Sequence, residues 1–168
     1  IKGDKSMKGL KSLISKHYTK EEFAWIMQDW ANSVYSLMIT TAIFPLYFKT
    51  VSSNAGVSAA DSTAYLGYAN SIATFAVSIM APVLGALADY KGYRNPMFTW
   101  STLLGVFSVI GMMFAETDQW ILLLALYTLS AIGYSASNIF YDSSIMDVTT
   151  YDRMDRISAA GYGYGYIG

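Results

Sequence analysis

The sequence has no cysteine, one histidine and few charged residues. The absence of cysteine excludes disulfides and thiolate metal sites. Charged residues make up 14% of the 168 residues, against roughly 25% in typical soluble domains. Hydrophobic residues make up 54%, and a net charge of −1 gives no electrostatic reason to expect nucleic acid as a partner. This composition favours a membrane protein over a soluble domain with a large core.

The few charges are clustered, and long uncharged runs separate the clusters. A helix needs about 20 apolar residues to cross a bilayer core of about 30 Å. The uncharged runs predict membrane spans at about 30–48, 63–88, 97–115 and 120–141, with a fifth beginning at 157–168. The predicted fold class is all-α, a polytopic transmembrane helix bundle over residues 23–168 that follows a basic cytoplasmic tail at residues 1–22.

The placement of lysine and arginine predicts the orientation. Ten of the eleven fall in the amino-terminal tail or in the connections after the second and fourth spans, and Lys49 alone lies in the other connections. Cytoplasmic loops carry such an excess of positive charge, so the amino terminus is expected inside the cell.

Thr19 and Glu22 fit a capping box, which predicts a helix start near Lys20. Pro45 predicts a kink or an early stop near the outer end of the first span, and residues 49–62 read as a polar loop.

The predicted spans contain no Asp, Glu, Lys, Arg or His, so they offer no intramembrane acid–base pair or metal cluster. No catalytic residue, metal or cofactor is therefore expected. Gly161 and Gly165 lie in a match to G-x-G-x-x-G, but a dinucleotide fold needs that pattern inside a βαβ unit. On a membrane helix, the same glycines predict a close-packing face.

Neutral polar residues inside the spans are candidates for a solute cavity, because a polar solute needs such groups in lipid. They are Tyr35, Thr40, Tyr68, Asn70 and Tyr134. The alternative is ordinary hydrogen bonding between helices, worth about 0.6 kcal/mol each. A second set lies at the inner ends of the first and fourth spans and is a candidate inner gate: Asp29, Asn32, Asn138 and Asp142. The alternative is that these residues only mark where water begins.

The loop GALADYKGYRNP, from Gly85 to Pro96, joins the second and third spans. Its pattern Gly85-x-x-x-Asp89-x-x-Gly92-x-Arg94 resembles the signature loop of major facilitator superfamily transporters. Tyr90 and Asn95 stand where that family usually carries basic residues. The resemblance implies that these four patterned residues form a conformational latch, with the aspartate pairing with the other half of the transporter.

Two further stretches resemble the vacuole effluxer-like group of that superfamily. They are DWANSVYSLMITTAIFPLYF, from Asp29 to Phe48, and the connection from Phe140 through Arg156 into SAAGYGYGYIG. The resemblance implies a twelve-helix transporter of two six-helix halves, of which this chain is the amino-terminal part. Its partners would be membrane lipid, a small solute and the carboxy-terminal half. Fungal members of the group are linked to export of amino acids from the vacuole.

The sequence therefore predicts a secondary active transporter, and not an enzyme, that moves a small solute by alternating access. Amino-acid efflux is the substrate class that the resemblance suggests. The alternatives are an importer of sugars or organic anions, and a four-span scaffold protein that does not transport. The ending at Gly168, inside a predicted helix, argues against the scaffold. The expected location is the cytoplasmic membrane in a bacterium or the vacuolar membrane in a fungus.

Overall fold

The structure is a computed structural model that describes residues 18–90, 92–116 and 118–167. Within these ranges every regular element is helical, which confirms the all-α class. The elements are α1 (Lys20–Tyr35), π-helical turns (Ser36–Ala42), α2 (Ile43–Asn54), α3 (Ala59–Ala88), α4 (Arg94–Met112), α5 (Trp120–Ser143), α6 (Ile145–Val148), a 3₁₀ turn (Tyr151–Arg153) and α7 (Met154–Ile167). Most of the predicted basic tail, residues 1–17, lies outside the described residues.

The first helix begins where the capping box predicts. The Thr19 hydroxyl accepts a hydrogen bond from the Glu22 backbone N–H at 3.2 Å. The Glu22 carboxylate in turn accepts from the Thr19 backbone N–H at 2.8 Å. These two bonds satisfy N–H groups that have no partner inside the helix. The predicted start at Lys20 is confirmed.

The first helix does not stop at Pro45. Helical structure continues without a break for 35 residues, from Lys20 to Asn54. Pro45 cannot donate a hydrogen bond to the carbonyl of Thr41, and its ring crowds that carbonyl. The π-helical turns that end at Ala42 lie directly before this point, and their wider i→i+5 pattern accommodates the missing bond.

The prediction of a polar loop over residues 49–62 is wrong at both ends. Helix α2 ends at Asn54 and α3 begins at Ala59, capped by the Ser58 side chain. Among the polar side chains that suggested a loop, that of Ser52 on α2 donates a hydrogen bond to the hydroxyl of Ser62 on α3 at 2.8 Å, and both residues are buried. A buried hydroxyl with a partner carries no penalty that would break a helix.

Among the described residues, three helical stretches are long and apolar enough to cross a membrane: Lys20–Asn54, Ala59–Ala88 and Trp120–Val148. Helix α4 has 19 residues and occupies the place of the third predicted span, but it is not among the three. Polar residues in its first half lower its apolar character, namely Asn95, Thr99, Ser101 and Thr102.

The chain divides into two compact units. The first unit contains residues 18–37 and 145–167, and the second contains residues 38–144. The core of the second unit forms around Tyr127 on α5, which is fully buried. The Phe44 ring from α2 stacks on the Tyr127 ring, with centroids 4.1 Å apart. Leu123, Phe48, Val51, Ala69 and Met112 complete this core.

Helices α4 and α5 pack backbone against backbone. A Cβ built on Gly133 would lie 2.7 Å from the backbone nitrogen of Gly105 and 2.8 Å from the carbonyl oxygen of Ser101. Real Cβ atoms essentially never approach other atoms this closely. Because lipid supplies no hydrophobic drive between helices, such close approach is a main source of their association. Gly133 is therefore required where it stands.

We expect Gly133→Ala to destabilise the protein by about 1–3 kcal/mol, since the added methyl meets rigid backbone. Gly67→Ala is the matched control, because no atom lies within 4 Å of a Cβ built there. The control should keep or slightly raise stability, as alanine favours helices. Thermal unfolding in detergent micelles compares the variants. Equal melting temperatures for the two alanine variants would contradict the packing role of Gly133.

Candidate functional site

The connection between α3 and α4 is a tight, defined turn. The backbone N–H of Asp89, the residue after α3, donates to the Gly85 carbonyl at 3.3 Å. Gly92 has a φ of +102°, a conformation that side-chain-bearing residues rarely adopt. Arg94 Nε donates to the Ala88 carbonyl oxygen at 2.8 Å. The guanidinium at the start of α4 thus caps the end of α3 and closes the turn.

The four predicted latch residues all belong to this turn or to the helix end beside it. Gly92 supplies the backbone conformation and Arg94 supplies the closing bond. Asp89 is exposed beside this turn. Gly85 lies inside α3, and no described atom comes within 4 Å of a Cβ built on it. The described residues of the turn therefore include one exposed acidic side chain, that of Asp89.

Two of the candidate cavity residues lie on different faces of α3. Tyr68 and Asn70 are two positions apart on α3, so they point about 200° apart around the helix. Asn70 Oδ1 accepts a hydrogen bond from the Tyr127 hydroxyl at 2.8 Å, and its Nδ2 donates to the Leu66 carbonyl at 3.1 Å. Tyr68 is 62% exposed. For Asn70 the structure shows an interhelical hydrogen bond, the alternative reading of these polar groups.

The remaining cavity residues lie on other elements. Tyr134 is half-buried on α5, and its backbone nitrogen is 3.7 Å from a Cβ built on Gly105 of α4. Thr40 is exposed in the π-helical turns of the second unit. Tyr35 ends α1 in the first unit and is half-buried.

The candidate gate residues fall into two pairs. In the first unit, Asn32 Oδ1 accepts from the Gln28 side chain at 3.4 Å, and Asp29 lies against α7. In the second unit, half-buried Asn138 and exposed Asp142 stand four residues apart on α5, so they share one helix face. Each pair is thus a polar patch at one end of its own helix.

The sequence prediction missed the role of Glu22. This side chain is 1% exposed. Its Oε1 accepts from the Thr149 hydroxyl at 2.7 Å, and its Oε2 accepts from Arg153 Nη2 at 3.0 Å. These partners lie 127 and 131 residues away in the chain. Local sequence showed only the capping role, because nothing near Glu22 in the chain indicates which distant residues it meets.

Opposing effects act on the pKa of the Glu22 carboxyl. Burial alone would raise this pKa, since it removes water from the charged form. The hydrogen bonds from Thr149 and the Thr19 backbone, together with the charges of Arg153 and Arg156, outweigh burial and lower the pKa below its ordinary 4.5. Glu22 is therefore a buried carboxylate that stays ionised at neutral pH.

Residues 58–156 match the family described as "Vacuole effluxer Atg22 like". This match covers more than half of the chain and includes α3, α4, α5 and the turn between Gly85 and Pro96. The chain belongs to the vacuole effluxer Atg22-like family. The resemblance seen in the sequence is confirmed.

A curated relative of this Atg22-like chain is the "Uncharacterized MFS-type transporter YxiO" of Bacillus subtilis (strain 168). The two are 48% identical over 153 residues, which is 91% of this chain and 36% of the relative. The chain thus spans about a third of that transporter's length. No solved structure matches the chain. Both names describe transporters rather than enzymes, and the apolar helices make the chain an integral membrane protein.

The lowered pKa of Glu22 predicts a pH dependence of stability in acid. A carboxyl whose folded pKa lies below its unfolded pKa stabilises the fold above the unfolded value, here about 4.5. That contribution is lost as the pH falls through the folded pKa. The melting-temperature advantage of the wild type over Glu22→Gln should therefore be constant from pH 7 to about 5.5 and shrink below about 4.5.

Glu21→Gln is the control for this measurement, because Glu21 is the exposed neighbour in the same helical turn. Its effect on the melting temperature should be small, because this side chain is exposed. An advantage of the wild type over Glu22→Gln that stays unchanged down to pH 3 would contradict the assignment.

Proposed function

We propose that this chain forms the amino-terminal helices of a secondary active transporter, which moves a small solute by alternating access without covalent chemistry. The observation that carries the proposal is the closed turn between α3 and α4. Arg94 caps the end of α3, Gly92 allows the sharp reversal, and the Asp89 carboxylate remains exposed. Two findings support this function: the chain belongs to an effluxer-like family, and its sequence is 48% identical to that of an MFS-type transporter over 153 residues.

The proposed orientation has the amino terminus and the Gly85–Pro96 turn on the cytoplasmic side. The excess of lysine and arginine on that side supports it. In the first unit, α1 and α7 run parallel, as the first and fifth spans of such a protein must. The proposed membrane is the cytoplasmic membrane of a bacterial cell, given the Bacillus relative, or the vacuolar membrane in a fungus.

The proposed role of Asp89 is to pair with the carboxy-terminal half of the complete transporter and so hold one conformation closed. An exposed carboxylate suits such pairing, because it is accessible to a partner. Asp29, Asn32, Asn138 and Asp142 remain proposed gate residues. Tyr35, Thr40, Tyr68, Asn70 and Tyr134 remain proposed solute contacts, and Asn70 also accepts a hydrogen bond from Tyr127.

The proposed substrate class is small polar solutes, with export of amino acids suggested by the effluxer name of the family. Import of sugars or organic anions is the rival within transport. Hydrogen bonds between helices, such as the one from Tyr127 to Asn70, would equally suit a scaffold that does not transport. Direct measurement of solute movement separates these functions.

The test uses the complete protein in sealed vesicles with a panel of radiolabelled amino acids, sugars and organic anions. We expect saturable movement of at least one solute class above that of protein-free vesicles. A proton gradient imposed in either direction reports coupling. Absence of movement for every class, with the protein correctly inserted, would favour the scaffold and contradict the proposal.

Asp89→Asn in the same vesicles tests the latch. We expect slower transport with normal membrane insertion, since asparagine keeps the size of the side chain and loses its charge. Asp118→Asn is the matched control, an exposed aspartate in the turn between α4 and α5. Normal transport by Asp89→Asn would contradict the latch role.

A further inference from the structure

The buried carboxylate of Glu22 joins two segments that are far apart in the chain. It belongs to the first turn of α1, and its oxygens accept bonds from Thr149 and from Arg153. The Arg153 ion pair at 3.0 Å joins a guanidinium that is 35% exposed to a carboxylate that is 2% exposed. Charge-assisted bonds of this kind are about twice as strong as neutral ones.

A second contact lies further along the same pair of helices. A Cβ built on Gly161 of α7 would lie 2.9 Å from the Trp25 ring, and one on Gly165 would lie 2.8 Å from Asp29 Oδ2. Trp25 and Asp29 are one turn apart on α1, as Gly161 and Gly165 are on α7. This confirms the close-packing face expected from the two glycines, and it makes the helices parallel.

Buried apolar residues and a cation–π contact lie at the amino-terminal ends of α1 and α7. Ile26 on α1 and Ile157 on α7 are both fully buried. The Arg156 guanidinium lies 5.8 Å from the centre of the Tyr18 ring, a cation–π contact that covers the same end. Separating the two helices would therefore expose this packing and leave the charge of Glu22 without its partners. Removing one partner of a buried ion pair is strongly destabilising.

We propose that Glu22 is a positioning residue that keeps α1 and α7 together as one body throughout the transport cycle. The proposal rests on the proposed transport function, because the helices need to be held together only if other parts of the protein move. Thr149 and Arg153 are the points where the connection before α7 is fastened to α1. The GxxxG-type face then holds the helices at close distance along their length.

The first test is Glu22→Gln in the complete protein. Glutamine keeps the length of the side chain but cannot hold the Arg153 ion pair. We expect the maximal transport rate to fall about tenfold while the KM for solute is unchanged, since the solute contacts are intact and only the conformational step is slowed. Glu21→Gln, one residue away and exposed, should leave both values unchanged.

The second test replaces the hydrogen bond between Glu22 and Thr149 by a covalent bridge. Glu22→Cys/Thr149→Cys is made after any cysteines elsewhere in the complete protein are replaced, and a short bis-methanethiosulfonate links the two thiols. We expect slow transport before linking and recovery of most of the wild-type rate after it. A residue that only assists folding would show no such recovery in protein already inserted.

Glu21→Cys/Thr150→Cys is the matched control pair, because both residues are the exposed neighbours of the bonded ones. It should link poorly under the same conditions. Two results would overturn the proposal: linking of Glu22→Cys/Thr149→Cys that abolishes transport, or a normal rate in Glu22→Gln. The first would show that the segments separate during the cycle.

If the proposed transport function is wrong, the experiment gives a different result from those above. In that case the wild type moves no solute in the panel, and the linking yield is compared in the absence of transport. A high yield for Glu22→Cys/Thr149→Cys with a raised melting temperature would still support the fastening of α1 to α7. A yield equal to that of the control pair would overturn it.

Discussion

Close approach of helix backbones is the constraint on which this structure depends. Lipid is as apolar as leucine, so helices in a membrane gain nothing from burying apolar side chains against one another. Contact must come from packing and from polar bonds. Gly133 meets this need where α5 lies against Gly105 of α4, with no room for a Cβ. Gly161 and Gly165 act differently, because on α7 they leave room for the side chains of Trp25 and Asp29 of α1. These glycines are thus placed where two helices touch.

Polar side chains follow the same rule. Among the described residues, no buried side-chain nitrogen or oxygen is without a hydrogen-bond partner. The Tyr127 hydroxyl bonds Asn70, the Ser52 hydroxyl bonds Ser62, and Glu22 bonds residues on a distant segment. Groups that are bonded in this way fix helices and are less free to receive a solute. Asp89 differs from them, because it stands exposed on a turn whose own bonds are made by Arg94 and the backbone.

Much of this arrangement follows from local sequence. The capping box at Thr19 gives the start of α1, uncharged runs give the helical class, and the spacing of Gly161 and Gly165 gives a packing face. Other features depend on contacts that no local pattern encodes. The loop expected at residues 49–62 is mostly helix, since Ser52 and Ser62 bond each other. The partners of Glu22 lie more than a hundred residues away, and the hydrogen bond from Tyr127 fixes Asn70 only once α3 and α5 are packed.

The side of the membrane on which the Gly85–Pro96 turn lies decides whether Asp89 can act as a cytoplasmic latch. Two single-cysteine variants, treated as cells with a membrane-impermeant maleimide, show on which side each position lies. One replaces Tyr90, which is 66% exposed in that turn. The other replaces Asn54, which is exposed at the end of α2. The cysteine at position 54 should react in intact cells, and the cysteine at position 90 only after the membrane is permeabilised. Reaction at position 90 in intact cells would contradict the account.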